Sequence, residues 1–187
     1  MDRECMNVVY ASNDGYARHL GTSLYSLLDR NRDFAEISVY VLTLGLSEEN
    51  QGKLREIAEH FGRRLIFLNL DDLLERIGYE VDTGGFDISV MLRLFMGDML
   101  AESVERVLYL DCDTVVLQSL KHLWKEELEG KIVGAVMEPT IYQAVKESID
   151  LGEDDPYYNS GVLLVDLKQW REQEIQKKLL GFWKSKG

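Results

Sequence analysis

The chain has 187 residues, 45% of them hydrophobic and 29% charged, which is the balance of an ordinary globular domain and excludes a disordered or disulfide-stapled chain. Its 33 acidic residues outnumber the 21 basic ones, and the resulting formal charge of −12 opposes binding to nucleic acid or to anionic lipid. No apolar run approaches the roughly 20 residues of a membrane span, and the first residues lack a signal-peptide pattern, so we expect a cytoplasmic protein.

The first half of the chain alternates short apolar strands with amphipathic helices. The first run is β-branched and ends at the turn cluster Ser12-Asn13-Asp14-Gly15, and Ser47 is a helix N-cap followed by two acids. In chain order, periodicity predicts strand 7–11, helix 16–28, strand 37–42, helix 48–61, strand 65–70, helix 71–77, helix 89–100 and strand 106–110.

The second half continues the alternation without a visible domain boundary. Periodicity predicts a helical turn 120–124, strand 132–137, helix 143–149, strand 161–165 and helix 167–186. Because no linker or repeat interrupts the chain, we expect one domain over 1–187. Strands that read as continuous apolar runs between helices predict an α/β fold, with a mostly parallel sheet covered by helices on both faces.

Polar residues follow several of the predicted strands. Ser12-Asn13-Asp14, Asp111-Cys112-Asp113 and the approach to Glu138 all come directly after apolar runs. Ligands of open α/β sheets bind outside the carboxyl ends of the strands. These clusters are therefore the candidate functional site.

The sharpest motif is the pair of carboxylates at Asp111 and Asp113, one residue apart at the exit of a buried strand. Carboxylate oxygens suit hard cations such as Mg²⁺ or Mn²⁺, which take their remaining ligands from water and substrate phosphates. The motif indicates a site for a metal and a diphosphate. The structural alternative is that both acids solvate a turn or cap the next helix.

Two enzyme classes use this spacing. Phosphatases of the haloacid dehalogenase type carry Asp-x-Asp-x-Thr after a strand, with the first Asp as nucleophile, and residues 111–114 fit that pattern. In those enzymes the motif usually lies near the N-terminus, and an acidic pair follows a later strand. Here the motif begins only at residue 111, and Asp154-Asp155 follows Leu151-Gly152. The agreement with the phosphatase pattern is therefore limited to this one motif.

The second class fits along the whole chain. The sequence resembles the family 8 retaining glycosyltransferases, the group of the bacterial lipopolysaccharide galactosyltransferases and glycogenin. The matching segments, in order, are 8–16, 89–94, 107–113 and 158–167, followed by Trp170-Arg171. Four collinear matches are more specific than any single one. The resemblance implies a Rossmann-like GT-A fold that binds nucleotide-diphospho-sugars.

The resemblance also implies a role for individual residues. The uracil base would contact Ala11, Asn13 and Tyr16, with the Tyr16 ring as a stacking face, although the family more often has an acid at the position of Asn13. Arg93 would reach the donor sugar and the diphosphate. Without the resemblance to the family, Tyr16 is interpreted equally well as an aromatic residue of the core. Arg93 is then interpreted as a solvated charged residue on a helix.

The same resemblance implies the metal and the sugar contacts. Asp111 and Asp113 would bind Mn²⁺ (or Mg²⁺), and Asp111 would also lie near the sugar and ribose. Glu138, the one candidate catalytic residue, would face the side between the sugar and the acceptor. The structural alternative is that Glu138 is an acidic residue of a turn without a catalytic role. Asn159 would lie in the small-residue turn that contacts the donor sugar.

The chain departs from the family pattern at its end. The family has a further Asp-Gln-Asp element and a later His segment that completes the metal site, and the sequence stops at Gly187 before both. None of His19, His60 and His122 lies in such a segment, so we assign none of them to the metal. We expect a family domain that lacks its C-terminal part.

The resemblance implies metal-dependent, retaining transfer of a hexose, galactose or glucose, from a UDP-sugar to a hydroxyl of a glycan or lipid-linked saccharide. Two alternatives remain open. One is a non-catalytic fragment that binds the UDP-sugar, and the other is the Asp-x-Asp-x-Thr phosphatase. The sequence indicates neither a nucleic-acid partner nor an oligomeric state.

Overall fold

The computed structural model describes residues 5–81, 83, 85–138 and 143–186. The strands are β1 (Cys5–Asn13), β2 (Glu36–Leu44), β3 (Arg64–Asn69), β4 (Arg106–Leu110), β5 (Val133–Met137) and β6 (Tyr158–Asp166). The α-helices are α1 (Ala17–Arg30), α2 (Glu48–His60), α3 (Leu73–Ile77), α4 (Met96–Met99), α5 (Lys121–Lys125), α6 (Gln143–Ser148), α7 (Leu167–Glu172) and α8 (Ile175–Lys186). Two 3₁₀ segments, Asp14–Tyr16 and Ile88–Phe95, complete the secondary structure of the described residues.

The six strands form one sheet in the order β3-β2-β1-β4-β6-β5. The pairs β1–β2, β2–β3 and β1–β4 are parallel, whereas β6 is antiparallel to both of its neighbours, β4 and β5. Strand β6 is therefore the one strand of the sheet that runs against the other five. The predicted α/β class with a mostly parallel sheet is confirmed.

Both faces of the sheet are covered, because successive side chains of a strand point to opposite faces. Val8 and Tyr10 of β1 belong to the core shared with α1 and α2, whereas Val9 and Ala11 belong to the core on the opposite face. Helix α1 contributes completely buried leucines at helical spacing to the first core: Leu20, Leu24, Leu27 and Leu28. Each such side chain stabilises the fold by roughly 1.5–3 kcal/mol relative to an exposed one.

The helical stretch predicted at 89–100 is confirmed, and over most of its length it winds as a 3₁₀ helix. The Val90 N–H bonds to the Asp87 carbonyl, three residues back, at 3.1 Å, which is the 3₁₀ pattern. The chain becomes α-helical only at α4.

The single helix predicted at 167–186 is divided into α7 and α8. Glu174 lies between them with φ of 51°, in the left-handed region that ends a helix. The apolar periodicity continues through this break, since Trp170 and Ile175 pack in the same core. Within the described part of the chain, no helix is both long and apolar enough to cross a membrane.

Candidate functional site

Four sequence-predicted residues lie at one edge of the sheet. Asn13 ends β1, Asp111 directly follows β4, and Glu138 directly follows β5. Because β6 runs the other way, Asn159, its second residue, lies at the same edge. The polar clusters that are far apart in sequence thus meet at the carboxyl edge.

Asp111 is held by contacts from three elements. The Tyr109 hydroxyl donates to Asp111 Oδ1 at 2.7 Å, and Arg93 Nη2 lies 2.9 Å from the same oxygen. The backbone N–H of Asp111 donates to the Gly161 carbonyl of β6 at 2.7 Å. The carboxylate therefore has a defined orientation before any ligand binds.

Arg93 is not a solvated surface charge, because its side chain is only 18% exposed. Its guanidinium carbon lies 4.7 Å from the centre of the Tyr109 ring, which is a cation–π contact. Arg93 Nη1 also donates to the Ser160 carbonyl at 3.0 Å and to Ser160 Oγ at 3.3 Å. One guanidinium thus connects the 3₁₀ segment to β4 and β6.

The Tyr109 hydroxyl and the Cys112 thiol, two neighbours of the Asp111 carboxylate, both keep their protons. Burial raises the pKa of the Tyr109 phenol well above its usual range, so the hydroxyl keeps its proton at neutral pH. Burial, and after it the neighbouring Asp113 and Asp111 charges, raises the pKa of the Cys112 thiol to about 11. Cys112 is therefore a protonated, unreactive thiol at neutral pH.

Gly161 approaches Asp111 so closely that a side chain has no room. A Cβ atom at this position would lie 2.9 Å from Asp111 Oδ2 and 3.1 Å from Asn159 Oδ1. Asn159 Oδ1 in turn accepts the Gly161 N–H at 2.8 Å, and Asn159 Nδ2 lies 3.4 Å from Glu138 Oε2. The structure therefore places Asn159 between Asp111 and Glu138.

The end of β1 forms a second part of the same edge. Asn13 Oδ1 accepts the Tyr16 N–H at 3.1 Å and caps the 3₁₀ segment, and Asn13 Nδ2 lies 3.5 Å from Ser89 Oγ. Tyr16 is 45% exposed, and its ring contacts His19 at 5.4 Å between centroids. Ala11, by contrast, is almost buried in the core. The structure leaves the Tyr16 ring available as a stacking face.

Sequence reasoning gave Tyr109 no role, and it named Asp14 only as a member of the polar cluster after the first strand. Tyr109 precedes Asp111 by two positions, so strand alternation places both on one face, and a buried phenol needs a hydrogen-bond partner; this was a usable signal. Asp14 accepts the Ser47 N–H and Asn50 Nδ2, both at 2.8 Å. These bonds lower the pKa of Asp14 and connect the end of β1 to the start of α2.

Thr114, the threonine of the phosphatase pattern, is part of a network that points away from Asp113. Its hydroxyl donates to the Asp111 carbonyl at 2.8 Å and lies 3.1 Å from Ser23 Oγ of α1. Ser23 Oγ is also 3.0 Å from the buried Tyr10 hydroxyl. The threonine therefore anchors the loop after β4, and its position is explained without phosphatase chemistry.

The donor set at this edge suits a hard cation that brings further ligands with it. No hydrogen bond from the described residues reaches Asp111 Oδ2, and the Asp113 carboxylate is exposed. Within the described ranges, no group of three or more His, Cys, Asp or Glu side chains could hold a metal ion. A cation held at this edge would therefore take most of its ligands from water and phosphate oxygens, as Mg²⁺ and Mn²⁺ do.

Comparison with known proteins gives consistent matches over almost the whole chain. Residues 7–187 match the model of the family described as "Glycosyl transferase family 8". General stress protein A of Bacillus subtilis is 31% identical over 96% of this chain and 62% of its own length. Lipopolysaccharide 1,2-glucosyltransferase of Escherichia coli is 27% identical over 98% of this chain and 54% of its own length.

Solved structures agree with this result. The structure of the LgtC mutant Q189E superimposes with a TM-score of 0.84 at 29% identity, and the match covers 97% of this chain and 64% of LgtC. LgtC in complex with donor and acceptor sugar analogues gives a TM-score of 0.78 at 28% identity, over 97% of this chain and 66% of that one. The fold is that of the GT-A glycosyltransferases. The chain spans less than two thirds of the length of the curated relatives described above.

Proposed function

Because the chain belongs to glycosyl transferase family 8, we propose the following function for it. On that premise, it binds a UDP-hexose and contributes to a retaining transfer of the sugar to an acceptor hydroxyl. The observation that carries the proposal is the Asp111 carboxylate: its Oδ1 is bonded to Arg93 and Tyr109, its Oδ2 receives no hydrogen bond from the described residues, and the exposed Asp113 follows two positions later. A cation site next to a guanidinium is the combination that a sugar diphosphate requires.

The nucleotide half of the proposed site is the end of β1. Tyr16 offers an exposed ring on which a base can stack, and Asn13 holds the turn that carries this ring. Ala11 lies at the same strand end and contributes mainly backbone, because its side chain is almost buried. We assign the uracil base to these residues.

The diphosphate half is built around the two aspartates. Asp111 and Asp113 would hold Mn²⁺ or Mg²⁺, and Arg93 would orient the sugar diphosphate. When bound, the cation neutralises charge on the departing UDP. Asn159 bonds the Gly161 N–H and thereby fixes the close backbone approach at the sugar position.

Glu138 is the group we place on the side between sugar and acceptor. It is half-buried directly after β5, and Asn159 Nδ2 approaches its Oε2 at 3.4 Å. A carboxylate there can accept a hydrogen bond from a sugar or acceptor hydroxyl and hold it in orientation. The mechanism we propose includes no protein nucleophile.

The relatives guide the proposed substrates. Proteins matching this chain are named lipopolysaccharide 1,2-glucosyltransferase and lipopolysaccharide 1,3-galactosyltransferase. We propose galactose or glucose as the donor sugar, a glycan or lipid-linked saccharide as the acceptor, and a cytoplasmic location.

A thermal-shift titration with UDP tests the proposal, with and without Mn²⁺, and with ADP and phosphate as controls. A ligand at 100 times its Kd stabilises the folded state by about 2.7 kcal/mol. For a domain of this size, that energy corresponds to a rise in Tm of about 5–11 °C. We expect this rise only when UDP and Mn²⁺ are both present, and a rise with phosphate alone would support the phosphatase instead.

The matched variants are Asp113→Asn and Glu102→Gln, each of which removes one exposed carboxylate charge. Asp113 lies in the proposed cation site, whereas Glu102 precedes β4 and lies toward the opposite edge of the sheet. Asp113→Asn should lose the Mn²⁺-dependent rise and keep the Tm of the unliganded protein. An unchanged Mn²⁺ dependence in Asp113→Asn would remove this residue from the site.

A further inference from the structure

Tyr109 occupies an unusual position for a polar side chain. It lies next to last in the central strand β4, only 1% exposed, and its ring is covered by the Arg93 guanidinium. Its hydroxyl reaches out of the core to Asp111 Oδ1 at 2.7 Å. Packing alone would be satisfied by phenylalanine, so the hydroxyl calls for a separate explanation.

The two oxygens of Asp111 are used differently. Oδ1 receives both Tyr109 Oη and Arg93 Nη2, at 2.7 and 2.9 Å. Oδ2 faces the space over Gly161, where a Cβ atom would stand only 2.9 Å away. Two donors on one oxygen fix the rotation of the carboxylate about its Cβ–Cγ bond and leave the second oxygen for another ligand.

We infer that Tyr109 is a positioning residue: its hydroxyl holds Asp111 Oδ1 so that Oδ2 alone is presented to the cation. The inference rests on the proposed function, because it assumes that a divalent cation binds at Asp111. Groups that hydrogen-bond to a metal ligand orient it, and their loss commonly costs 10-fold or more in metal affinity.

Tyr109 and Arg93 are not interchangeable in this role. Arg93 also donates to the Ser160 carbonyl, and its charge is what a diphosphate would attract. A guanidinium that turns toward a phosphate weakens its own bond to Asp111. The uncharged Tyr109 hydroxyl has no competing partner of that kind, so it keeps Asp111 in orientation while the donor binds.

The test compares Tyr109→Phe with Tyr79→Phe. Tyr79 is the control, because its hydroxyl donates to the Leu180 carbonyl at 2.6 Å rather than to a carboxylate, and it has no hydrogen bond to the loop after β4. The readout is the Kd of Mn²⁺ in the presence of saturating UDP, measured from the electron paramagnetic resonance signal of free Mn²⁺. We expect Tyr109→Phe to raise this Kd about 10-fold and Tyr79→Phe to leave it unchanged.

The outcomes separate the inference from the proposed function. If the unaltered chain binds no Mn²⁺ with UDP, the proposed function fails and the inference fails with it. If the unaltered chain binds Mn²⁺ and Tyr109→Phe binds it equally well, only the inference is overturned. An equal loss in Tyr79→Phe would also overturn it, because the effect would then follow from losing a tyrosine hydroxyl anywhere in the fold.

A second pair of variants tests the division of the two oxygens even if Tyr109→Phe fails to fold. Asp111→Asn keeps a side-chain oxygen that can accept the hydrogen bonds from Tyr109 and Arg93. Asp111→Ala removes this acceptor, so both donors lose their hydrogen bonds to it. Both variants should lose Mn²⁺ binding, and Asp111→Asn should melt at a higher temperature than Asp111→Ala. Equal melting temperatures would show that Oδ1 is not held as we infer.

Discussion

The two halves of the sheet differ in how completely they are covered. In the parallel half, β1 and β2 are buried along most of their length between helices on both faces. In the antiparallel half, β5 and the start of β6 leave apolar side chains open, with Val136 68%, Met137 59% and Tyr158 54% exposed. The proposed site lies where the halves join, so its residues are positioned by buried strands on one side and border exposed strand ends on the other.

The covered half also holds the loop that carries the two aspartates. Polar side chains of α1, and Asn31 directly after it, bond the segment after β4: Ser23 contacts Thr114, Ser26 Oγ accepts the Val116 N–H at 2.9 Å, and Asn31 Oδ1 accepts the Leu120 N–H at 2.7 Å. Hydrogen-bonding groups of this kind are expensive to leave unpaired. The comparison teaches that the position of the acidic loop is decided in the covered half of the sheet, by contacts that do not involve the two carboxylates.

The largest expected effect comes from a cavity in the covered half. Leu24→Ala removes a completely buried side chain of α1 and should lower the free energy of unfolding by about 2–5 kcal/mol. Val136→Ala, in the open half, should change it by less than about 0.5 kcal/mol. Urea denaturation measures the free energy of unfolding of both variants. Similar decreases in the two variants would mean that the two halves of the sheet are equally well packed.

A smaller effect is expected where the halves meet. Gly161→Ala puts a Cβ atom against Asp111 Oδ2 and Asn159 Oδ1, so one of these side chains must move. We expect an affinity loss of about 10-fold for Mn²⁺ with UDP, measured by titration. Gly52→Ala in α2 is the control, because nothing lies within 4 Å of its Cβ; it should bind normally and unfold at a slightly higher temperature.

Tyr16→Ala tests the nucleotide half of the site. Loss of a stacking ring costs about 1 kcal/mol or more per base, so UDP affinity should fall about 5-fold while Mn²⁺ binding in the absence of UDP stays unchanged. Tyr25→Ala serves as control, because Tyr25 is similarly exposed, 49% against 45%, and packs against Phe61 instead. Equal UDP affinity in the two variants would exclude Tyr16 from base binding.

The smallest effect concerns acid stability. Hydrogen bonds from Ser47 and Asn50 lower the pKa of Asp14 below its ordinary value of 3.8. A lowered pKa in the folded state means stability that is present above pH 3.8 and is lost as pH falls through the lower value of the folded protein. At neutral pH, Asp14→Asn should therefore have a lower Tm than the unaltered chain, and the difference between the two Tm values should become smaller below pH 4. A difference in Tm that does not change with pH would contradict this.

The helix types show where local patterns stop being sufficient. Periodicity located the apolar positions of 89–100 and 167–186, which is a property of neighbouring residues. It could not distinguish 3₁₀ from α winding at Ile88–Phe95, because both windings place apolar residues on one face at intervals of three to four positions. It also missed the break at Glu174, where the backbone turns although the apolar pattern continues.

The sequence by itself determined the alternation of strands and helices, the α/β class, and the delivery of Asp111 and Asp113 to a strand exit, because each depends on a few residues adjacent along the chain. Only the tertiary structure decided that β6 runs against its neighbours and brings Asn159 and Gly161 to the same edge. It also decided that Arg93 and Tyr109 share one oxygen of Asp111. Strand direction and side-chain convergence depend on pairing between distant segments, which hydrophobic periodicity does not encode.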